Sequence, residues 1–261
     1  MLNKCPNEFV KFIHELADNS EKITMEYFRK DIAIDAKSDD TPVTIADKNC
    51  EMKIRDLITS KYPNHSILGE EFDNKNLDSE FTWVIDPIDG TRSYIAGHKD
   101  FGTLIALLHN NKPILGVINC PAHNERWLGK LNEKTLMNGE IIKTSEYDKL
   151  EDCYAFTSGL YFEDDGFKKV YDRLIQKTKY HRFGGDCYMY GMLASGLIQI
   201  VVEDTLKVHD YMALIPVIEG AGGCVSDRFG KKINLESDGS LVASSSKIIH
   251  KEVIQILNHK N

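Results

Sequence analysis

Residues 83–94 read Trp-Val-Ile-Asp-Pro-Ile-Asp-Gly-Thr-Arg-Ser-Tyr, an apolar strand that runs into two aspartates. The rigid Pro87 fixes where the carboxylates of Asp86 and Asp89 point. Gly90 lets a phosphate group approach the backbone closely. Hard oxygen ligands at the end of a strand are typical of a divalent metal site. An Asp-Gly pair also occurs in ordinary turns, so this prediction depends on six specified positions in a row.

Length and composition set the class of protein. The chain has 261 residues, which suffices for one sizeable α/β unit or for two closely packed lobes. Hydrophobic residues make up 42% and charged residues 28%, proportions that are typical of a soluble globular protein. The net charge of −8 argues against a nucleic-acid partner or an acidic membrane surface, because both are bound by clustered Lys and Arg. No apolar stretch has transmembrane length.

Cysteine usage and the first residues indicate the compartment. The six cysteines are scattered and form no Cys-x-x-Cys pair, in a chain too large to need disulfide staples. We therefore expect reduced thiols. Residues 1–28 mix charged with apolar side chains and lack the hydrophobic region of a signal peptide. Together these features predict a cytoplasmic protein.

The first 61 residues predict helices. Apolar residues between positions 9 and 28 recur at helical spacing and predict an opening amphipathic helix or helix pair. A second helix is predicted from about residue 44 to residue 61, ended by Pro63. The residues of this helix that are predicted to pack inward are Ile45, Met52, Ile54, Leu57 and Ile58.

Strands follow. Short apolar runs lead directly into Glu70 and into Asp86, so each predicted strand delivers acids at its carboxyl end. Residues 103–108 and 114–118 flank an Asn-Asn-Lys-Pro turn and predict a hairpin. After residue 150 helices and strands alternate, which predicts a second α/β unit. Its predicted elements are strands at 154–157, 199–203 and 224–226, and helices at 165–177, 188–195, 210–219 and 248–257.

Four acids occupy positions that suggest a shared site: Glu70, Asp86, Asp89 and Asp210. If they converge, they repel one another, since two unit charges about 4 Å apart at an effective dielectric of about 20 repel by roughly 4 kcal/mol. Such a cluster must take up protons or bind cations. Oxygen ligands with no His or Cys at zinc spacing nearby indicate Mg²⁺. Two adjacent Mg²⁺ ions would serve phosphoryl transfer.

Other residues near the motif are candidates for positioning a water molecule. Thr91 has a hydroxyl beside the acids, and Glu70 or Asp47 can orient that hydroxyl or accept its proton. The amides of Gly90 and Thr91, if they open a helix, would bind the phosphate. Plainer roles remain open, because Asp47 can be a first-turn helix acid and Asp210 can be a helix N-cap.

These motifs resemble the inositol monophosphatase superfamily of Mg²⁺-dependent, Li⁺-sensitive phosphatases. The resemblance rests on residues 86–91, on the upstream Gly69-Glu70-Glu71, and on Asp210 followed by residues 219–223. It spans most of the chain, in order. It implies an α/β (α+β) fold, a layered α/β/α/β/α sandwich of the inositol monophosphatase and fructose-1,6-bisphosphatase type. It also implies a homodimer, two or three Mg²⁺ ions per site, inhibition by Li⁺ and a small phosphorylated metabolite as substrate.

The resemblance also implies roles for single residues. The implied metal ligands are Glu70, Asp86, the backbone carbonyl of Ile88, Asp89 and Asp210. Thr91 and Asp47, with Glu70, would hold the attacking water. One departure is visible, because family members often have Trp directly before the last aspartate, where this chain has His209.

We place the lobe boundary near residue 145, where no linker marks it. The N-terminal α+β lobe, residues 1–145, carries most of the candidate metal ligands. The C-terminal α/β lobe, residues 146–261, carries Asp210 and the candidate specificity residues.

Within the superfamily, residues 182–188 and 206–214 look most like the histidinol-phosphate phosphatase branch, which acts in histidine biosynthesis. Asp186 and Glu203 would place negative charge near the leaving group, which suits the ammonium and imidazole of histidinol better than the hydroxyls of inositol. Asp186 can instead cap the following helix, and Glu203 can simply end a strand.

Alternative functions are weighed against this hypothesis. An inositol-1-monophosphatase, or another small phosphomonoesterase of the superfamily, fits the same motif. A haloacid-dehalogenase-type phosphatase needs a nucleophilic aspartate at position 87, which is proline. The chain has no Gly-x-x-x-x-Gly-Lys-Ser/Thr loop of nucleotide-binding proteins. A non-catalytic regulatory or binding protein on this fold is the alternative from a different class.

Overall fold

A computed structural model describes residues 2–36, 42–75, 78–159 and 165–259. Within these ranges the helices are α1 (Asn7–Tyr27), α2 (Ile45–Lys61), α3 (Thr91–Ile95), α4 (Asp165–Ile175), α5 (Asp186–Ala194), α6 (Val208–Tyr211), α7 (Leu214–Gly220) and α8 (Lys247–Asn258). The strands are β1 (Ile34–Ala36), β2 (Pro42–Thr44), β3 (Ser66–Gly69), β4 (Phe81–Asp89), β5 (Gly102–His109), β6 (Lys112–Cys120), β7 (Glu125–Lys130), β8 (Leu136–Met137), β9 (Glu140–Ile141), β10 (Tyr154–Thr157), β11 (Tyr180–Phe183), β12 (Ile200–Glu203), β13 (Cys224–Ser226) and β14 (Leu241–Ser244).

The strands form two large sheets and one small ribbon. The first sheet has seven strands in the order β3-β4-β5-β6-β7-β8-β9. Its pair β3–β4 is parallel, and its other pairs are antiparallel. The second sheet has five strands in the order β11-β10-β12-β14-β13, and the ribbon pairs β1 with β2. The predicted hairpin is confirmed as β5 and β6.

The first sheet is covered on both faces, because side chains alternate along its strands. One face packs against α1 and α2 through residues such as Ile85 and Ile105. The other face packs against α5 and α7 through their neighbours Val84 and Leu104. Continuous apolar strands are therefore expected here, and β4 and β5 read that way.

The second sheet adds two more layers. Val201 and Ala243 face the α5 and α7 layer that also covers the first sheet. Ile200 and Val242 point the other way and pack with α4 and α8. The order of layers is therefore helix, sheet, helix, sheet, helix. The predicted α/β fold and its α/β/α/β/α layering are confirmed.

The opening segment is one helix. α1 is 21 residues long, and its buried stripe includes Phe9, Phe12, Ile13 and Leu16. The rest of its surface is charged and exposed, as expected for an amphipathic helix. In the described part of the chain we find no helix that combines the length and the apolar character needed to cross a bilayer.

The predicted inward face of α2 is partly wrong. Ile54 and Ile58 are buried, but Ile45 is 41% exposed and Met52 is 49% exposed. The face that turns inward includes the acids Asp47 and Glu51, both fully buried. Sequence patterning assigns acids to the solvent side of a helix. It therefore predicted an inward face that includes the exposed residues Ile45 and Met52.

The predicted helix at 210–219 is two shorter helices, α6 and α7, separated at Met212 and Ala213. Pro216 explains the break. A proline inside a helix lacks the N–H donor and its ring clashes with the carbonyl four residues earlier, which is that of Met212. In the first turn of α7 neither problem arises, because the N–H groups there have no intrahelical partner.

Several strands escaped prediction. These were β1, β2, β7, β8, β9, β11 and β14. Most are two to four residues long. The residues of β11 and of β9 are exposed, so they lack the alternation of buried and exposed side chains that predicts a strand.

Two glycines let α7 approach the first sheet. Gly116 and Gly129 are direct partners across β6 and β7. A Cβ atom at Gly129 would collide with the backbone of Pro216 and Val217, and one at Gly116 with the carbonyl oxygen of Ala213. The contact between sheet and helix here is therefore backbone against backbone.

We expect Gly129→Ala to lower the free energy of unfolding by about 3 kcal/mol, because the added methyl group overpacks a fixed contact. Urea unfolding monitored by circular dichroism measures this change as a lower midpoint. Lys112→Ala, at an exposed position of β6, is the control and should change the free energy of unfolding by about 0.5 kcal/mol or less. An unchanged midpoint for Gly129→Ala would contradict the packing argument.

Candidate active site

The four predicted acids converge at one end of the first sheet. Glu70 follows β3 directly, Asp86 and Asp89 lie on β4, and Asp210 lies on α6. Oxygens of Asp86, Asp89 and Asp210 lie within 4.8 Å of one another. A second group, Glu70, Asp86 and His209, meets the same distance limit. Asp86 belongs to both groups, so all four acids share one site.

The segment that carries the two aspartates is a bulged strand and not a turn after the strand. β4 continues to Asp89, and its register against β5 shifts between Asp86 and Asp89. The carboxylate of Asp86 accepts a hydrogen bond from the N–H of Ile88 at 3.0 Å. The carbonyl of Pro87 accepts one from the hydroxyl of Thr103 at 2.9 Å. The bulge re-aims the two carboxylates toward the same side.

Glu70 is positioned by an acid that sequence analysis missed. The buried carboxylate of Glu51 on α2 accepts hydrogen bonds from the N–H groups of Glu70 at 3.0 Å and Glu71 at 2.8 Å. Its other oxygen pairs with Arg55 at 2.7 Å. A Cβ atom at Gly69 would collide with the Glu51 carboxylate. Nothing in the segment around Glu51 indicates this role, because a Glu–Arg pair at i, i+4 spacing is equally typical of an exposed helix face.

Gly90 and Thr91 connect β4 to the short helix α3. Gly90 has φ +83°, and a Cβ atom there would lie 2.9 Å from both the Asp100 carbonyl oxygen and a carboxylate oxygen of Asp186. Glycine is therefore required at this position. The hydroxyl of Thr91 donates a hydrogen bond to the carbonyl of Ile88 at 3.0 Å. Two residues predicted to serve the site, Thr91 and Ile88, are thus in direct contact.

Asp47 has both a structural contact and an unused oxygen. Its Oδ2 accepts hydrogen bonds from the N–H of Thr44 at 2.8 Å and from the Thr44 hydroxyl at 2.6 Å, which caps α2. Its Oδ1 is buried and accepts no hydrogen bond from the described residues. Burial raises the pKa of Asp47, and the nearby charge of Glu70 raises it further. The capping role of Asp47 is present, but it accounts for only one oxygen.

The carboxylates of the site are destabilised as anions. Burial raises the pKa of Asp86 well above its usual value, and the charges of Glu70 and Asp89 add to that effect. Burial likewise raises the pKa of Asp89, with the charges of Asp186 and Asp210 as further causes. Burial also raises the pKa of Asp210. Anions that are crowded and buried in this way must bind protons or cations.

The residues present fit a divalent cation. Several carboxylate oxygens within bonding reach of a common point are the donor set that hard cations prefer. The buried Oδ1 of Asp47, without a partner among the described residues, is a further oxygen beside Glu70 with capacity to accept a hydrogen bond.

His209 is a residue of the site that sequence analysis noted beside Asp210 but did not count as a ligand. The prediction of an oxygen-only ligand set assumed that no histidine lies nearby, but a ring nitrogen of His209 belongs to the group with Glu70 and Asp86. Its Nε2 lies 3.4 Å from Oδ1 of Asp210, and its side chain is 14% exposed. The assumption failed because it considered metal-ligand spacing along the chain and not the convergence of separate segments.

The backbone before α5 takes an unusual path to present Asp186. Gly184 has φ +91°, Gly185 has φ +124° and Asp186 has φ +42°. Left-handed conformations cost little for glycine but are uncommon for other residues. Such strain is concentrated at functional sites in proteins.

The start of α5 contacts both the acids and α3. Asp186 is the first residue of α5, whereas the N-cap is Gly185 and no described side chain caps the helix, so the capping interpretation is wrong. The Asp186 carboxylate instead accepts a hydrogen bond from the Ser93 hydroxyl at 2.6 Å. Burial raises the pKa of Asp186. The next residue, Cys187, donates its backbone N–H to the Asp89 carboxylate at 2.5 Å. Asp186 and the residue that hydrogen-bonds to the predicted metal ligand Asp89 are therefore neighbours in the first turn of α5.

Glu203 lies deeper than Asp186. It ends β12 and is 5% exposed. Its carboxylate accepts hydrogen bonds from the Ser158 N–H at 3.1 Å and the Tyr190 hydroxyl at 2.7 Å. Burial raises the pKa of Glu203 to about 7. Both oxygens have partners within the protein, so the strand-end interpretation is sufficient for the contacts seen.

A cleft of about 270 Å³ opens over the acids. Its described lining contains Glu70, Gly90, Thr91, Asp186, Asp210, Pro42, Arg92, Thr205, Lys207 and His209. Glu203 is not among these lining residues. Two cations, Arg92 and Lys207, were missed by sequence analysis, because neither belongs to a motif that indicates phosphate binding. The cleft therefore offers acids for cations and two positive side chains for an anion.

Comparisons with known proteins agree with this geometry. Residues 6–261 match the inositol monophosphatase family. The chain is 42% identical over 245 residues to a protein of Arabidopsis thaliana named bifunctional phosphatase IMPL2, chloroplastic, covering 93% of this chain and 71% of that protein. It is 36% identical over 234 residues to a protein named histidinol-phosphatase from Chlorobaculum parvum, covering 89% of this chain and 90% of that protein.

The fold matches solved structures equally well. A structure of an inositol monophosphatase from Zymomonas mobilis superposes with a TM-score of 0.89 at 36% sequence identity, covering 97% of this chain and 98% of that chain. The family match runs through the bulged strand, α5 and α6, the elements that carry the acids. The chain therefore belongs to the inositol monophosphatase family and is a phosphatase of that family.

Proposed function

We propose that this phosphatase hydrolyses L-histidinol phosphate with Mg²⁺ as its cofactor. The observation that carries the proposal is the carboxylate of Asp186, which lines the cleft next to Gly90 in a conformation that costs energy. A relative that is 36% identical bears the name histidinol-phosphatase, which supports the same substrate. Histidinol carries an ammonium group and an imidazole, both of which an acid can bind.

We assign the cations to the converging acids. Glu70, Asp86, Asp89, Asp210 and the carbonyl of Ile88 would hold two or three Mg²⁺ ions. When bound, Mg²⁺ polarises the phosphate ester, lowers the pKa of a water molecule and stabilises the leaving alkoxide. The crowding of these acids, which raises the pKa of each aspartate, supports the assignment.

We assign the attacking water to Glu70, Thr91 and Asp47. The Glu70 carboxylate and the Thr91 hydroxyl orient the water, since both line the cleft. The Oδ1 of Asp47 has no partner among the described residues and can accept a proton from a neighbouring hydroxyl. This oxygen gives Asp47 a catalytic role in addition to the capping of α2.

We assign substrate discrimination to residues of the proposed C-terminal lobe, 146–261. Asp186 is the direct contact for the cationic part of histidinol, because it lines the cleft. Glu203 does not line the cleft and acts at a distance. Its buried carboxylate contributes negative charge to the site, and it accepts a hydrogen bond from the Tyr190 hydroxyl. The proposed N-terminal lobe, 1–145, supplies the other acids and binds the phosphate end of the substrate through Gly90 and Thr91.

The substrate assignment predicts a preference that can be measured directly. With Mg²⁺, the protein should hydrolyse L-histidinol phosphate with a higher kcat/KM than inositol 1-phosphate. Asp186→Asn should reduce kcat/KM for histidinol phosphate by about tenfold or more, because it removes one partner of a charge pair. The same variant should change hydrolysis of inositol 1-phosphate much less, since that leaving group is neutral.

The control for this experiment is Asp172→Asn, which removes a half-buried acid on α4 that pairs with Lys168. It should leave both rates unchanged. Fructose 1,6-bisphosphate and adenosine 3',5'-bisphosphate complete the substrate panel, because each presents a differently charged leaving group. Equal kcat/KM values, or a higher value for inositol 1-phosphate, would contradict the proposal and favour an inositol-1-monophosphatase; the Zymomonas mobilis structure is described as an inositol monophosphatase.

A further inference from the structure

We propose that His209 is a metal ligand. Its imidazole nitrogen, with the carboxylates of Glu70 and Asp86, forms a mixed nitrogen and oxygen site within the cleft. Such a site binds Mn²⁺, Co²⁺ or Zn²⁺ more tightly, relative to Mg²⁺, than carboxylates alone would. The inference rests on the metal centre assigned under the proposed function, and it adds a ligand and a metal preference to that centre.

The distances allow coordination. The three ligand atoms lie within 4.8 Å of one another. An ion bound at about 2.1 Å from each of two ligands on opposite sides separates them by about 4.2 Å. The side chains of Glu70, Asp86 and His209 therefore need to move by only a few tenths of an ångström to bind one ion together. No backbone movement is required, because Asp86 lies on a buried strand and His209 lies on α6 beside it.

The surroundings of His209 favour ligation over simple packing. The ring is mostly buried among carboxylates, yet its distance of 3.4 Å to Asp210 is longer than a good hydrogen bond. α6 is fixed by the hydrogen bond from the Lys207 N–H to the Asp210 carboxylate at 2.7 Å. The imidazole is thus held at the acids by its helix, within ion-pair distance of Asp210 but without a short hydrogen bond to it.

The chemistry of the donor explains the expected selectivity. A neutral imidazole adds a ligand without adding a negative charge to a cluster that is already crowded. Nitrogen donors suit Mn²⁺, Co²⁺ and Zn²⁺, whereas Mg²⁺ prefers oxygen and keeps several waters. Loss of the imidazole should therefore weaken the binding of the transition metals and leave Mg²⁺ binding nearly unchanged.

The test measures metal binding and not turnover. Full-length protein is freed of metal by a chelator and titrated with Mn²⁺ and with Mg²⁺ by calorimetry, and bound Mn²⁺ is examined by pulsed electron paramagnetic resonance for coupling to nitrogen. Wild-type protein should show the nitrogen coupling. His209→Gln should lose it, with Mn²⁺ affinity reduced by about tenfold or more and Mg²⁺ affinity changed by about threefold at most.

The matched control is His123→Gln, which removes an imidazole that is hydrogen-bonded to Asp100 at 3.0 Å and stacked on Tyr188. It should keep the nitrogen coupling and both affinities. Wild-type protein that binds Mn²⁺ without nitrogen coupling would overturn the ligand role of His209 and leave the acid cluster intact. Failure of the wild type to bind either ion would overturn the metal centre itself, and the inference with it.

Discussion

Asp89→Asn is expected to reduce phosphate release by about a thousandfold or more while the protein stays folded. Carboxylate oxygens of Asp89, Asp86 and Asp210 lie within 4.8 Å of one another, and the substitution removes one negative charge from this group. A metal ion contributes several kcal/mol to the stabilisation of the transition state, and about 1.4 kcal/mol corresponds to a tenfold change in rate. The measurement is the steady-state rate of phosphate release with saturating Mg²⁺.

The fold should survive because asparagine can keep the hydrogen bond that links position 89 to α5. The side-chain carbonyl of asparagine can accept the hydrogen bond that the Cys187 N–H donates to Asp89. Burial and neighbouring charges raise the pKa of Asp89, so a neutral side chain also relieves repulsion. The thermal midpoint without metal should be unchanged or higher. Near-native turnover in a folded Asp89→Asn protein would refute the metal role.

The second large effect concerns pH: the stability of metal-free protein should fall as the pH rises from about 5.5 to about 8. Burial raises the pKa of Glu203 from 4.5 to about 7, and Asp86, Asp89, Asp186 and Asp210 are raised by the same cause. When folding raises the pKa of a carboxyl group, the folded state binds more protons than the unfolded state at any pH between the two pKa values. Stability is therefore fully present below the unfolded value and falls as pH rises through the folded value.

The thermal midpoint of chelator-treated protein should accordingly be higher at about pH 5.5 than at about pH 8. Mg²⁺ should reverse this trend, because cations stabilise the deprotonated cluster and protons compete for it at low pH. A midpoint that is flat or that rises with pH in metal-free protein would show that the acids are not destabilised as anions.

Glu203→Gln tests how much one acid contributes to this pH dependence of stability. Glu203 belongs to neither of the two groups of described residues that could hold a metal ion. Glutamine can accept from the Ser158 N–H and donate to the Tyr190 hydroxyl, so both contacts of Glu203 can be kept. The metal-free variant should be more stable than wild type at about pH 8 and similar to it at about pH 5.5. A variant that is less stable at both pH values would indicate that the charged form of Glu203 is favoured in the fold.

Features with local signals in the sequence were located correctly, while the roles of the site residues stay predictions. The acids at the ends of β3 and β4 were found because strands that pair side by side bring their ends together, and the spacing of Asp86 and Asp89 is visible in the sequence. Two continuous apolar runs on either side of a turn likewise located β5 and β6. These features depend on neighbours along the chain, which a sequence displays directly.

Residues whose role depends on distant contacts were missed. Glu51 holds the backbone of Glu70 from another element, and nothing in its own segment indicates that it is buried. His209 reaches Glu70 and Asp86 only after three segments meet. The inward face of α2 was misjudged for the same reason, because patterning assumes that acids face water. Buried acids at a functional site break that assumption.

The contact between α5 and Asp89 has a consequence for how such enzymes change substrates. The donor is the backbone N–H of Cys187, which any residue except proline provides, while the side chain of Asp186 reaches into the cleft. Evolution can therefore exchange the side chain at position 186, the proposed contact to the leaving group, without altering the hydrogen bond that supports Asp89, a proposed metal ligand. On the proposed roles, adjacent residues in the first turn of α5 keep a variable specificity position apart from the backbone contact that the metal site needs.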